Sequence, residues 1–416
     1  MNQTTKDILE QGKKLRQEGK LDEAIAFLNH ALKLDPTSHL AYHQLGGILV
    51  QKGELEQAAS SYHRAIDLNP NFSFAHYCLG KVLFKQNKLD KALASTSKAI
   101  ELDSNVASFH HQLGEIFAKK GKLDKAIASF QKATEIDPES LSSFQQLGDI
   151  FFKQGKLNKA ISFYHQAVEL NPNIALIHYN LAEAYKSKGE KNEAVKHYTK
   201  ALQIEPFNNS AFIQLMFMQV RPEQLEELAF SYRQLSKKDP NNPWVNVKLG
   251  DVLTRQNKID EAITSYQAAT RKLTKIFRPD YVAKYWEKAK PAEPTFIIIG
   301  PMKTATSALY EYINQHPQVL PCIEKEVHFF SNENKYPHGK DWYIAHFPLI
   351  PEGEHFITGE ASPGYIVNNI QQRVFDMFPS IKLIALIRNP VDRAFSHYQH
   401  NVKHGFERRS FEDAIN

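Results

Sequence analysis

The sequence predicts an α-solenoid of helix pairs followed by an α/β domain with a parallel sheet. Two observations predict it. A pattern of glycine, leucine, alanine, aromatic and proline recurs with a period of 34 over about residues 5–276, and a period of this size marks stacked supersecondary units. At the segment PAEP, residues 291–294, helical periodicity stops, and Thr295–Ile299 follows as a short β-branched apolar run of the kind buried in parallel sheets.

The bulk numbers set the frame. A chain of 416 residues has room for two or three domains at about 150 residues each. With 42% hydrophobic and 23% charged residues it reads as globular rather than disordered. A net charge of +5 gives no electrostatic case for nucleic acid. Residues 291–416 carry 11 basic and 14 acidic side chains, so attraction for an acidic polymer lies with the repeats. Cys78 and Cys322 are far apart, which supports neither a disulfide framework nor a zinc site. The polar start has no apolar signal core, and the run Phe296–Ile299 is too short to cross a bilayer. A cytoplasmic protein is the expectation.

Along the repeat region, Gly19, Gly53, Gly121, Gly155 and Gly189, with Asn87 and Asn257 in phase, open turns. Leu21, Leu55, Leu89, Leu123 and Leu157 follow two residues later, and Ala24, Ala58, Ala92, Ala126, Ala160, Ala194 and Ala262 come next in phase. Aromatics recur from Tyr62 to Tyr266 and prolines from Pro36 to Pro240. Glycine supplies the helix-ending conformation and proline sits at the hand-over between pairs. The spacing resembles the tetratricopeptide repeat (TPR), in eight units over residues 5–276, with residues 277–290 as a capping helix. The unit Ser210–Asn242 departs from the pattern at Met216 and Leu228, and a looser joint is expected there.

Three phase-matched sets raise the question of a ligand on the concave face. Gln44, Gln112, Gln146, Asn180 and Gln214 resemble the amide ladder with which some TPR proteins hold a peptide, against the alternative of a solvated repeat position. Lys85, Lys119 and Lys153 form either a basic stripe or a solvated face. Tyr42, His76, His110, Phe144 and His178 read as inter-helix packing, not as metal ligands.

After the boundary, Thr295–Ile299 leads into Gly300-Pro301-Met302-Lys303-Thr304-Ala305-Thr306-Ser307 and a helical stretch. Strand, polar loop and helix form the P-loop-like arrangement in which backbone N–H groups hold a phosphate. Lys303 adds a mobile charge, while Thr304, Thr306 and Ser307 add hydroxyls. A second apolar strand, Ile381–Ile387, ends in Arg388, and the next helix carries Ser396. The ATPase signature needs a glycine before its lysine and a metal-binding aspartate on a neighbouring strand. Here no glycine precedes Lys303 and the strand ends in a cation. The pattern is that of phosphate binding without a metal.

Three segments, IIIGPMKTATSALYEYINQHPQV, EKEVHFFSNENKY with GKDWYIAHFP, and GEASPGY with IKLIALIRNPVDRAFSHYQH, resemble the first half of the heparan sulfate type of sulfotransferase. The resemblance covers residues 294–416 and implies 3'-phosphoadenosine 5'-phosphosulfate (PAPS) as co-substrate and a carbohydrate or protein acceptor. It implies that Lys303, Thr304, Ala305, Thr306 and Ser307 bind the 5'-phosphate, that Arg388 and Ser396 bind the 3'-phosphate, and that Glu326 is the base. His328 is the rival base, because an imidazole titrates near neutrality. Lys303 also suits the role of offsetting charge on the leaving phosphate, which makes it a catalytic candidate beside Glu326. Ala305 stands where the family usually has glycine, and Ala361 where glycosaminoglycan-acting members often carry lysine. Related domains continue past the 3'-phosphate helix, so the resemblance implies a truncated domain. The expected function is sulfuryl transfer with the repeats recruiting the acceptor or a partner; the alternative is an interaction scaffold carrying an inactive remnant.

Overall fold

The computed structural model describes residues 3–301, 304–366, 370–403, 407 and 409–415. It divides into two compact units, residues 1–218 and 219–416, and the division falls between Met218 and Gln219, inside the degraded repeat.

The first unit is a series of helix pairs, from Gln3–Gln17 with Leu21–Leu34 to Ala175–Lys188 with Lys191–Ile204, followed by the short helix Asn209–Met216. The sequence pattern explains how each pair closes. Gly53 and Gly189 end their helices in the left-handed region at φ 81° and 89°, and Asn87 takes the same conformation at φ 60°. Only residues without a Cβ penalty, or with a short polar side chain, visit that region readily. Ala24, Ala58, Ala92, Ala126, Ala160 and Ala194 are completely buried, which lets the two helices of a pair approach. A second contact of the same kind lies one turn away. A Cβ on Gly114 would sit 2.7 Å from the Phe130 ring and one on Gly148 2.5 Å from the Tyr164 ring.

The histidines expected to pack between helices also fasten the turns between repeats, and His178 does pack as expected, its ring stacked 5.4 Å from that of His197 on the following helix. His76 Nε2 bonds Pro70 O at 2.9 Å, His110 Nε2 bonds Ser104 O at 2.9 Å, and His178 Nε2 bonds Pro172 O at 3.0 Å. The common separation of six residues places each ring against the carbonyl of the turn before its helix. The amide set is likewise not uniformly solvated: Gln112 is buried, Asn180 Nδ2 donates to Asp149 Oδ1 at 3.1 Å, and Lys186 Nζ donates to Gln214 Oε1 at 2.7 Å.

The second unit joins three repeat helices, Pro222–Lys238, Pro243–Arg255 and Ile259–Phe277, to an α/β module. Its strands are β1 (Ala289–Lys290), β2 (Phe296–Ile299), β3 (Val319–Pro321), β4 (Ile350–Pro351), β5 (Ile357–Ala361) and β6 (Lys382–Ala385). Strands β3, β5, β2 and β6 form one parallel sheet in that order, while β1 pairs antiparallel with β4. Phe296, Ile297 and Ile298 are buried because β2 has a neighbour on each side and helix Thr306–Ile313 over it. Register requires a glycine opposite Phe296: a Cβ at Gly359 would lie 2.2 Å from Phe296 O.

Two sequence expectations change. The run expected as a buried strand over Ile381–Ile387 is strand only over Lys382–Ala385, and it lies at the sheet edge with Leu383 and Ile387 exposed. Ile384 packs on the cluster around Phe296 and Ile298, while Leu383, on the opposite face of the strand, is left exposed. The segment expected to cap the repeats is helix Pro279–Tyr285, a short 3₁₀ turn and β1, and its Tyr281 and Trp286 are buried with Leu320 beside Leu349, Ile350 and Phe356 of the α/β module.

The repeat helices of this unit share its core. Trp342 Nε1 donates to Thr254 Oγ1 at 2.9 Å, and the Tyr266 ring lies 4.1 Å from that of His346. Arg278 donates to Asn314 O and His316 O, and Tyr281 OH to Leu349 O. Among the described residues no helix is long and apolar enough to cross a membrane, and both cysteines are free.

Candidate functional site

The site is built at the ends of the central strands. Strand β2 ends at Gly300, where a Cβ would meet Leu386 O and Thr304 Oγ1 at 2.7 Å each, so the loop folds back tightly over β6. Lys303 lies outside the described residues. Ala305 is the residue before helix Thr306–Ile313 and adopts φ 65°. This left-handed conformation costs an alanine about 1 kcal/mol and a glycine almost nothing. The first intrahelical bond is Leu309 N to Ala305 O at 3.1 Å, so the N–H groups of Thr306, Ser307 and Ala308 have no acceptor within the helix. Thr306 is buried beneath this turn and Ser307 is exposed. The Thr304 hydroxyl, expected as a donor to phosphate, donates to Pro301 O at 2.7 Å and fastens the loop instead.

The segment carrying Glu326 is clamped to the end of β5 on both sides. Ala361 N donates to Lys325 O at 2.9 Å, and Val327 N donates to Glu360 Oε2 at 3.0 Å. Lys335 Nζ adds a bond to Val327 O at 2.8 Å. Glu360 is completely buried, and its carboxylate also accepts from Tyr343 OH at 2.5 Å, Ser362 Oγ at 2.6 Å and Tyr365 OH at 3.1 Å. Burial pushes its pKa up and these four donors pull against that shift. Sequence reasoning did not single out Glu360. The signal was an acidic residue one place before the end of a strand, and its four donors come from Val327, Tyr343, Ser362 and Tyr365.

Glu326 itself is part-exposed and sits between Lys325 and the His328 ring. His328 Nε2 lies 3.2 Å from its Oε2, and Lys325 forms an ion pair with its other oxygen. The His328 hydrogen bond, with Lys325 adding to it, holds the Glu326 carboxyl down at about 2. Lys325 Nζ also donates to Ser307 Oγ. One lysine therefore touches both the anion-binding turn and the candidate base. His328 occupies φ 56°, the second left-handed residue of the site. Two residues upstream, burial and the neighbouring Asp251 carboxylate push Glu324 up to about 7, against the pull of Lys335, Lys248 and His328.

Arg388 lies three residues beyond β6, next to the loop after β2 in the sheet order, and is exposed. An exposed cation at this place needs no bound anion to be tolerated. Ser396 is half-buried in helix Pro390–Lys403. Among the described residues no group of three or more histidine, cysteine, aspartate or glutamate side chains is arranged to hold a metal ion.

Comparison with known proteins decides what this arrangement is related to. The TPR repeat model matches residues 12–50, 46–87, 80–121 and 148–189, and the tetratricopeptide repeat model matches 107–140 and 175–208. The sulfotransferase domain model matches residues 293–415. The chain joins tetratricopeptide repeats to a sulfotransferase domain. That domain is related to the heparan sulfate N-sulfotransferases. It is 37% identical over 127 residues to the human bifunctional heparan sulfate N-deacetylase/N-sulfotransferase 3, an overlap of 29% of this chain and 14% of that protein. The membrane-associated sulfotransferase kil1 of Dictyostelium discoideum is 38% identical over 112 residues, 26% of this chain and 23% of its own. The chain thus spans about a seventh of the length of its heparan sulfate relatives. Solved structures similar to the repeats include YrrB, described as a TPR protein with an unusual peptide-binding site, at 23% identity and a TM-score of 0.39 over 45% of this chain and 96% of that one. The pilus biogenesis factor PilW gives 19% identity and a TM-score of 0.48 over 52% and 100%.

Proposed function

We propose that the C-terminal module transfers a sulfuryl group from PAPS to a hydroxyl or amine of a carbohydrate or protein acceptor, with the repeats recruiting the acceptor or a partner. The observation that carries this reading is the Lys325 bridge between Ser307 and Glu326. It brings a turn with free N–H groups and a carboxylate into one site, and in-line transfer needs both a donor cradle and a base.

The residues present fit the donor. Gly300 removes a side chain where the loop closes on β6, and the Thr306, Ser307 and Ala308 N–H groups open outward at a helix start. These groups, with Lys303, hold the 5'-phosphate, and Arg388 with Ser396 holds the 3'-phosphate. Bound PAPS supplies an electrophilic sulfuryl group on a phosphate leaving group. A carboxylate held at about 2 is a weak base. Lys325 is drawn from Glu326 toward the added negative charge, and Glu326 recovers basicity as the donor binds. The clamp on Lys325 O and Val327 N keeps the Glu326 backbone fixed while Lys325 moves.

The test is transfer from labelled PAPS to N-desulfated heparin and to a tyrosine-containing peptide as acceptor probes. Glu326→Gln is expected to lower kcat by at least about 100-fold, the scale of lost general-base catalysis, while leaving the affinity for 3'-phosphoadenosine 5'-phosphate unchanged. Undiminished turnover moves the base to His328, and absence of nucleotide binding in the unmodified chain leaves the repeats as the working part.

A further inference from the structure

The first unit carries a charge pattern that the transfer site does not use. Residues 85–91, 119–125 and 153–159 are the turns joining the two helices in three successive repeats. Together they hold ten lysines against two acids, Asp90 and Asp124, in a chain whose whole net charge is +5. The same phase elsewhere in the unit is balanced or acidic. Residues 17–23 set Lys20 against Glu18, Asp22 and Glu23, residues 51–57 set Lys52 against Glu54 and Glu56, and residues 187–193 match two lysines with two glutamates. A solvated repeat position would not confine its lysines to three neighbours.

All of these lysines except Lys120 are exposed; Lys120 pairs with Asp90 at 2.5 Å and Lys88 with Glu56 at 3.2 Å. Several are braced from below by aromatic rings. Lys119 Nζ lies 4.8 Å from the Phe84 ring centre, Lys125 5.7 Å from that of Phe117, and Lys159 5.3 Å from that of Phe151. Such contacts hold a cation in place without neutralising it. Beside the third turn, a groove of about 420 Å³ is lined by Gly155, Lys156, Leu157, Asn158, Lys159 and Lys188. Neighbouring turns lie side by side, since Lys120 reaches Asp90 and Lys119 reaches the Phe84 ring across one repeat, and the second helix of each of these repeats packs on the first helix of the next. The lysine clusters therefore follow one another along one edge of the stacked repeats, where a linear anion can meet them in turn.

We infer that this edge binds a linear polyanionic glycan. A linear anion fits because the charges recur at a fixed step along one edge rather than converging on a pocket. The choice of a glycan rests on the sulfotransferase reading above; the existence of the edge does not. Bound there, the acceptor chain is held at high local concentration for the transfer site, without any lysine of the edge touching the reacting atoms.

The test uses the full chain and heparin as the probe, with affinity measured by titration from 50 to 300 mM salt. The unmodified chain is expected to bind with a steep salt dependence, because each lysine that pairs with an anionic group releases a counterion. Lys119→Glu, Lys122→Glu and Lys125→Glu combined should weaken binding at least tenfold at low salt and lower the slope of log K against log salt by about 3. A control with the same charge change elsewhere, Lys14→Glu, Lys33→Glu and Lys200→Glu, should change affinity less than threefold, with circular dichroism confirming that both variants fold. Equal loss in the two triples, or no salt-dependent binding at all, overturns the edge. Equal affinity for a DNA duplex or polyglutamate overturns the glycan assignment. Arg388→Ala, directed at the nucleotide site, should leave heparin affinity unchanged; loss there places the glycan site in the C-terminal unit and overturns the inference independently of whether transfer occurs.

Discussion

Glu326 is held ionised by His328 and Lys325, and only the second of these can be lost to an arriving anion. Its carboxyl sits lower than the ordinary 4.5, at about 2, so the stability from its bonds to His328 and Lys325 is present above about pH 4.5 and is lost as pH falls through about 2. Lys325→Met should move the Glu326 titration upward, read as a rise in the acid limb of the rate profile or in the carboxyl carbon shift against pH. An unmoved profile would mean that His328 alone sets the charge. Glu360→Gln should cost about 1–3 kcal/mol, since an amide cannot accept all four bonds and leaves buried donors unpaired; chemical denaturation measures it. The two carboxylates differ in how legible they were. Glu326 sits in a short contiguous motif, whereas Glu360 is defined by Val327, Tyr343 and Tyr365, which meet only once the chain has folded.

At the scale of elements, close approach and left-handed turns set the stability of each repeat. Gly148→Ala would drive a methyl to within 2.5 Å of the buried Tyr164 ring, and overpacking of this kind costs about 1–3 kcal/mol. Thermal unfolding should show the loss, while the same change at an open surface glycine should not. Ala305→Gly relaxes the φ of 65° before helix Thr306–Ile313. It should leave stability within about 1 kcal/mol, because relief of strain offsets the greater entropy of glycine in the unfolded chain. The helix pairs and β2 were legible because a period of 34 and a β-branched run are local signals. The end of β6 was not, since burial of a strand depends on what packs against each face, and only the Ile384 side of this one meets the core. The capping segment was misjudged for a related reason: Tyr281 and Trp286 find their partners in residues 320–356, far along the chain.

Across the whole molecule, the contact division at Met218 places the last repeat helices with the α/β module. A fragment beginning at Pro291 keeps Trp342 as its only tryptophan but loses Thr254 and Tyr266 from around it. Its fluorescence should shift toward that of an exposed indole, whereas a fragment beginning at Gln219 should retain a buried Trp342. Acid should also destabilise the first unit. Burial holds His197 down at about 3 and His43 at about 4, from an ordinary 6.5. The unfolded chain takes up protons below about pH 6.5 that the folded chain refuses, so stability falls as pH falls from there toward about 3 to 4. For His197 alone the loss is about 2 kcal/mol at pH 5, visible as a lower urea midpoint that His197→Phe partly restores.

Sulfuryl transfer by this module requires an adenosine bisphosphate site formed by the loop after β2 and the residues following β6. Calorimetric titration of 3'-phosphoadenosine 5'-phosphate into the full chain tests it most directly. Binding in the unmodified chain, weakened at least tenfold by Arg388→Ala and again by Lys303→Ala, is the predicted result. Equal affinity in all three proteins, or no heat of binding in any, would contradict the site.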